Sequence, residues 1–338
     1  MLNQKNIERF RAVVSRIFSD AEGISAKDAL RRYYGPLERP DLTLEYLRGV
    51  VDLLNLTTKS IDGMVVLDAG CGYGMMCMLL AILGAKEAHG IDIMEERLDV
   101  FKECLRNLKA GAVDLPVYPI VGNIMRSDYE DGKFDLVLSV EAISHYREPD
   151  LFFEESARIL RPGGILLISD GNNGANPKIV SECKELWRRF EQGPTGRVGS
   201  HIIEEAYEDI RKDMIRDAYP EWSEEDITAV ATRTSGMTRD EILKACRLKE
   251  EQGVMPDRTF KDDECPVHPG FGSVLERFHH PQELARRMEA FGFKTQVYSY
   301  FGGAGGNPAI RFANHILKAF TKYTIKYARG YRIVATKV

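Results

Sequence analysis

The stretch Val65-Val66-Leu67-Asp68-Ala69-Gly70-Cys71-Gly72-Tyr73-Gly74 constrains the fold more than any other part of the chain. A short apolar run passes directly into three glycines, and a helical pattern, Met75–Leu83, follows. β-branched residues ended by glycines read as a strand and its turn. Four more short apolar runs follow: HGIDI at 89–93, VYPIVGN at 117–123, FDLVLSV at 134–140 and GILLISD at 164–170. The helical patterns Glu95–Leu108 and Pro149–Leu160 lie among them. Continuous apolar strands alternating with helices predict a parallel sheet covered on both faces. Right-handed crossovers then leave few topologies.

The rest of the chain is arranged around this block. Residues 1–62 read as helical, with Ile7, Phe10, Val13, Val14 and Ile17 on one face. A second helical segment spans Leu42 to Leu56. Gly35-Pro36 and Pro40 separate the two. Residues 171–280 are polar and mostly helical in pattern, and no strand is expected there. Asn176-Pro177 starts one helix. Ser223-x-x-Asp226 and Thr238-x-x-Glu241 read as capping boxes. A helix Pro281–Phe291 then leads into the strand KTQVYSYF, and one long helix, Ala309–Tyr327, leads into the last strand, YRIVATKV. The expected organisation is a helical cap at 1–62, an α/β core at 63–170 and 281–338, and a helical insertion at 171–280.

Composition narrows the function. The 338 residues are 44% hydrophobic and 29% charged, which suits a globular chain with a sizeable core. The net charge of −5 argues against a nucleic-acid partner, because phosphate binding needs concentrated Lys and Arg. The six cysteines show no CxxC pair and read as reduced thiols. The longest apolar stretch is far short of the roughly 20 residues that a membrane span needs. A cytoplasmic protein without a transmembrane segment is expected.

The chemistry-bearing residues point to one ligand class. A dinucleotide fingerprint requires G-x-G-x-x-G. Gly70 and Gly72 fit it, but position 75 is Met and the third glycine, Gly74, comes one place early. Asp68 decides further: a carboxylate beside the loop repels pyrophosphate and attracts a cationic amino group. S-adenosylmethionine carries an ammonium and a sulfonium and no phosphate, so D-x-G-x-G-x-G suits it better than NAD. Asp92 lies 22 residues past Gly70, near the offset at which an acid grips ribose hydroxyls. Asn123 in Gly122-Asn123-Ile124 offers a polar group to adenine. Ser139-Val140-Glu141 and His145 follow the fourth strand, where open α/β sheets hold their ligands. Glu141 and His145 are candidate general bases, His145 the better placed in pKa. The other reading for either residue is that it fixes the methionine end of the cofactor or caps the next helix.

These motifs resemble the class I, Rossmann-like, S-adenosylmethionine-dependent methyltransferases, in particular the small-molecule group related to ubiquinone and sterol C-methyltransferases. The carrying residues are VLDAGCGYG (66–74), GIDI (90–93), FDLVLSVEAISHY (134–146) and ILRPGGILLISD (159–170). The resemblance covers about 64–170 and, more loosely, 275–338. It implies an α/β fold with a seven-stranded doubly wound sheet whose last strand is antiparallel. It implies cofactor contacts at Asp68, Gly70, Cys71, Gly72, Gly74, Asp92, Ile93, Asn123, Ile124, Ser139 and Val140. Asn123 departs from the Asp that is frequent there. Tyr33 and Tyr34 match N-terminal tyrosines that close over the cofactor, and core packing is the other reading. The insertion at 171–280 would form a lid over the acceptor.

The expected activity is methyl transfer to a small molecule, O-methylation before C- or N-methylation, with His145 or Glu141 as base. A lipid or isoprenoid acceptor and a macromolecular acceptor are the alternatives. A homodimer is compatible with the sequence. Cys265, His268, His279 and His280 lack paired-ligand spacing, so no metal is expected. Lys318, Lys322 and Lys326 line one side of the last helix. They could meet acidic lipid or phosphate, or simply face water.

Overall fold

A computed structural model describes residues 1–19, 27–199, 201–303 and 307–338. It divides into two compact units. The first comprises 1–143, 148–171 and 280–338, and the second 144–147 and 172–279.

The first unit is built on seven strands: β1 (Val65–Ala69), β2 (Glu87–Asp92), β3 (Val117–Val121), β4 (Phe134–Val140), β5 (Leu160–Asp170), β8 (Phe293–Tyr300) and β9 (Gly330–Lys337). Two short strands of the second unit, β6 (Gly196–Val198) and β7 (His201–Ile203), come between β5 and β8 in the chain. The sheet order is β3-β2-β1-β4-β5-β9-β8. The five strands β1 to β5 run parallel, and β9 runs antiparallel to both β5 and β8. This is the predicted doubly wound sheet with its antiparallel last strand.

Strand order reverses at β1 and β4, so a crevice opens at their carboxyl ends. Registers fix which residues reach that edge. Asp68 pairs with Gly90 and Leu138, Asp92 with Val121, and Val140 with Ser169. Asp170 pairs with Tyr331, and Tyr300 with Gly330. The candidate residues after β1, β2, β3 and β4 therefore share one edge of the sheet.

The helix Met75–Ile82 has every residue buried. Its sequence, MMCMLLAI, has no polar face to present, so it needs cover on all sides. The N-terminal helix Gln4–Ser19 supplies part of that cover. It buries Phe10, Val13, Val14, Ile17 and Phe18, and it packs on Met75–Ile82 and on Glu95–Ala110. Its apolar face has the spacing read from the sequence. The segment Pro40–Leu54 begins with proline at its first position and buries Leu47, Val50, Leu53 and Leu54.

One expectation fails near the carboxyl terminus. The single helix Ala309–Tyr327 is broken at Phe320 into Pro308–Ala319, Thr321–Thr324 and a 3₁₀ turn, Ile325–Tyr327. The threonine hydroxyls compete for helix carbonyls. Thr321 Oγ1 donates to Lys318 O at 2.8 Å and accepts from Ser299 N at 3.0 Å, while Thr324 Oγ1 donates to Leu317 O at 3.2 Å. Lys318 leaves the solvated stripe. Its Nζ meets Asp52 at 3.1 Å, and Arg332 Nη1 meets the same carboxylate at 2.7 Å.

Burial works to raise the Asp52 carboxyl, but hydrogen bonds and charge from Arg332 and Lys318 outweigh it and hold it below the ordinary aspartate range. A lowered carboxyl stabilises the fold above its unfolded pKa, and that contribution is lost as pH falls through the folded value. Asp52→Ala leaves the Arg332 guanidinium, 3% exposed, without its partner. The expected loss is about 2 kcal/mol, below the figure for a fully enclosed pair because Asp52 still faces solvent. Urea unfolding at neutral pH measures it, and the difference should shrink toward acid pH.

The second unit has the helices Pro177–Gln192, Tyr207–Ala218, Glu224–Thr232 and Arg239–Gln252. Three predicted starts are found. Asn176 caps Lys178 N, Ser223 caps Asp226 N, and Thr238 with Glu241 forms a capping box. Ile215, Ile227, Val230, Ala231, Ile242 and Cys246 make one core, and Ile179, Cys183 and Trp187 another. The expectation that the insertion has no strand is wrong, because β6 and β7 pair as a hairpin. Three-residue strands are too short to show alternation, so local pattern cannot find them. His268 Nδ1 accepts from the amides of Gly270 at 3.1 Å and Phe271 at 3.2 Å, which gives that histidine a structural task in a turn.

Candidate active site

The glycine loop is positioned by backbone bonds from β2. Gly70 N and Cys71 N both donate to Ile91 O, at 2.9 and 3.1 Å. Gly72 N donates to Asp92 Oδ2 at 2.9 Å, and Met94 N donates to Asp92 Oδ1 at 2.9 Å. Asp92 therefore ties the loop to the end of β2. Its carboxylate oxygens keep further lone pairs for hydroxyl donors. The next residue, Ile93, is 69% exposed, and Ile124 after β3 is buried. An exposed isoleucine beside a carboxylate offers an apolar face next to a hydroxyl acceptor, the pairing that a nucleoside needs.

Glycine is required at two points. Gly72 has φ +53, and a Cβ built there meets nothing within 4 Å. The space in front of the loop is open at that point. Gly74 has φ +77, and a Cβ there would lie 2.1 Å from the Phe101 ring. Gly74 lets the loop pass directly over a core aromatic.

Asp68 is 4% exposed at the end of β1. The Cys77 thiol donates to its Oδ2 at 3.7 Å. Burial raises the Asp68 carboxyl to about 7; the Cys77 bond works against this, and the charge of Asp92 adds to it. A buried carboxyl of this kind gains from an incoming cation. Tyr34 stands nearby. Burial pushes its phenol well above the usual tyrosine range, and the Asp68 charge adds to the effect. Tyr33, 58% exposed, and Tyr34 both approach Tyr73 of the glycine loop, at ring distances of 5.6 and 6.4 Å. Arg97 lies 6.0 Å from the rings of Tyr33 and Tyr73. Both N-terminal tyrosines thus lie near a residue of the glycine loop.

Asn123 Oδ1 accepts from Met125 N at 2.9 Å. The oxygen is thereby engaged in a turn, and the amide nitrogen is the group better suited to meet a purine. Ser139 Oγ is fully buried near the carboxyl end of β4 and has no hydrogen-bond partner among the described residues. Val140, half-buried, ends that strand.

Glu141 follows with φ +51, a strained conformation for a residue with a side chain. Its Oε2 accepts from Gly171 N at 3.0 Å, which links the ends of β4 and β5. His145 closes a 3₁₀ turn, Ile143–His145, and its Nδ1 lies 3.4 Å from Val274 O within the second unit. The structure therefore assigns the two candidate bases to different units.

Sequence reading missed two residues at this edge. Tyr331, fully buried at the start of β9, has a hydroxyl without a hydrogen-bond partner among the described residues. Burial raises its phenol, and the charges of Asp170 and Glu141 raise it further. Asp170 ends the GILLISD run and is 1% exposed. Its position at a strand terminus was a signal already present in the sequence.

The stretch that carries Asp68 and Asp92 also lies inside a match to a known family. Residues 60–228, half of the chain, match the profile of a methyltransferase domain. The chain belongs to that methyltransferase family, and the family implies S-adenosylmethionine as cofactor.

Among named relatives, the ubiquinone biosynthesis O-methyltransferase of Chelativorans sp. is 32% identical over 34% of this chain and 43% of its own length. The norajmaline N-methyltransferase of Rauvolfia serpentina is 31% identical over 34% of this chain and 39% of its own. The 2-methyl-6-phytyl-1,4-hydroquinone methyltransferase of Synechocystis is 28% identical over 43% and 48%. The match spans less than half of each of these relatives. The residues present fit the cofactor on three counts: the open space at Gly72, the raised carboxyl of Asp68 and the unpartnered Ser139 hydroxyl.

Proposed function

We propose that this chain transfers a methyl group from S-adenosylmethionine to an oxygen of a small-molecule acceptor. The observation that carries the reading is Asp68, a buried carboxyl held at about 7 at the head of a glycine cradle. Asp68 would hold the ammonium end, Asp92 the ribose hydroxyls, and Ile93 with Asn123 the adenine. Tyr33 and Tyr34 would close over the same ligand. The cofactor supplies an electrophilic methyl carbon, so the protein has to align the acceptor and exclude water.

An oxygen acceptor is favoured because ubiquinone biosynthesis O-methyltransferases recur among the relatives. An amine acceptor is the second reading, and the N-methyltransferase relative supports it. His145 is our choice for the base. It follows β4 closely in the chain, and imidazole is the side chain most often used as a general base. Glu141 is second, because Gly171 N already engages its carboxylate.

His145→Ala should lower turnover by about 100-fold while S-adenosylmethionine affinity stays within about twofold. Single-turnover assays with a phenol and an amine acceptor, read by mass spectrometry, measure both effects. Undiminished turnover would remove His145 from the reaction, and methylated amine without methylated phenol would select the second reading.

A further inference from the structure

The helical segment between β8 and β9 presents apolar side chains to solvent where a globular protein normally hides them. Phe312 is 67% exposed, Ile316 43%, Phe320 56%, Tyr323 67% and Tyr327 68%. Phe312 and Ile316 lie four residues apart on one helix, Phe320 stands at its end, and Tyr323 and Tyr327 follow in the two short pieces beyond the break. Five large apolar side chains exposed within one segment of sixteen residues mark a binding face. Basic residues are interleaved with it. Arg311, His315, Lys322 and Lys326 each directly precede a member of the stripe. The ammonium groups of Lys322 and Lys326 lie 6.0 and 5.1 Å from the rings of Tyr323 and Tyr327.

The charge balance of the segment is one-sided. After Glu289 the chain contains eight Lys and Arg and neither Asp nor Glu, although its net charge is −5. Lys318 and Arg332 are taken by Asp52. Arg311, Lys322, Lys326 and Arg329 are exposed and pair with no carboxylate among the described residues. Exposed aromatics with lysines beside them, in a segment that itself has no Asp or Glu, match the interface of an anionic bilayer. No described helix is long and apolar enough to cross a membrane, so this segment would lie on the surface.

Its place in the fold gives the contact a purpose. β8 ends and β9 begins at the edge of the sheet that carries the glycine cradle, because Tyr300 pairs with Gly330. Asn314 holds the helix there, donating to Gly302 O at 2.7 Å and accepting from Phe301 N at 3.3 Å. In the strand order β1-β4-β5-β9-β8, this edge strand is about 19 Å from β1 at ordinary strand spacing.

We infer that the face formed by Phe312, Ile316, Phe320, Tyr323 and Tyr327 with its flanking basic residues docks the protein reversibly on an anionic lipid surface. The cradle edge then faces the bilayer from which an apolar acceptor would come. Docking itself rests only on this face and stands whatever the acceptor proves to be.

Sedimentation with vesicles tests it on the full chain. Phosphatidylcholine vesicles containing phosphatidylglycerol should carry the protein down, and pure phosphatidylcholine should carry several-fold less. Lys322→Glu with Lys326→Glu should weaken binding at least about tenfold. Phe312→Ser with Phe320→Ser should do the same, with melting temperature unchanged because these side chains are exposed. High salt should release the protein. The inference is overturned if the protein stays in the supernatant. It is also overturned if both variants sediment like the parent, or if inorganic phosphate displaces the protein and the phenylalanine pair has no effect. Light scattering that shows a dimer dissolved by Phe312→Ser, with no vesicle binding, would assign the face to a second copy and overturn it equally.

Discussion

Asp68→Asn should weaken S-adenosylmethionine binding at pH 7 by at least about thirtyfold, the loss expected when one side of an enclosed charge pair is removed. The parent should also show a pH dependence that the variant lacks. The Asp68 carboxyl of the free chain sits at about 7, raised first by burial. A cationic ligand needs that group ionised, so binding below pH 7 must expel a proton. Affinity should fall about fivefold from pH 7 to pH 6 in the parent and stay level in Asp68→Asn.

Stability runs the other way in the free chain. A carboxyl raised from 3.8 to about 7 favours the fold fully only below its unfolded value, and that contribution is lost progressively as pH rises to the folded value. Asp68→Asn without ligand should therefore melt higher than the parent at pH 8, with a difference that shrinks steadily toward acid pH. Calorimetry for binding and thermal melts for stability give both halves. A variant that bound normally would show that the ammonium end lies elsewhere.

The second large effect concerns the loop itself. Gly74→Ala forces a left-handed φ of +77 on alanine and drives a methyl group to 2.1 Å from the Phe101 ring. Backbone strain of about 1–2 kcal/mol and overpacking of about 1–3 kcal/mol should together cost about 2–5 kcal/mol. Phe101 is fully buried, so the ring cannot swing aside into solvent. Phe101→Leu, which removes the aromatic edge, should recover part of the loss in the double variant. Equilibrium unfolding of both single variants and the double variant gives the coupling directly. Strict additivity would mean that loop and ring do not meet as described.

Local pattern made the sheet legible and left contacts between distant segments hidden. The runs VVLDA, FDLVLSV and ILLISD are apolar throughout because both faces of a central parallel strand are covered, and that texture is visible in sequence alone. Caps at Asn176, Ser223 and Thr238 were equally readable, since a cap needs only a few adjacent residues. The break at Phe320 was hidden, because Ser299 on β8 decides it together with the threonines. The pairing of Asp52 with Lys318 and Arg332 joins residues 266 and 280 positions apart, beyond any local rule.

At the candidate site, the loop glycines, Asp68 and Asp92 followed from chemistry at known spacing. The second task of Asp92, holding Gly72 N, needed the fold. So did the left-handed backbone of Glu141 and the burial of Tyr331 beside Asp170, which depends on an antiparallel register that no single segment encodes.

The central claim is that this cradle selects a phosphate-free, positively charged nucleoside. Isothermal titration of the purified chain with S-adenosylmethionine and, separately, with NAD tests it most directly. The account predicts stoichiometric binding of the first, with proton release below pH 7, and no heat above dilution from the second. Heat from NAD, or from neither compound, would contradict it.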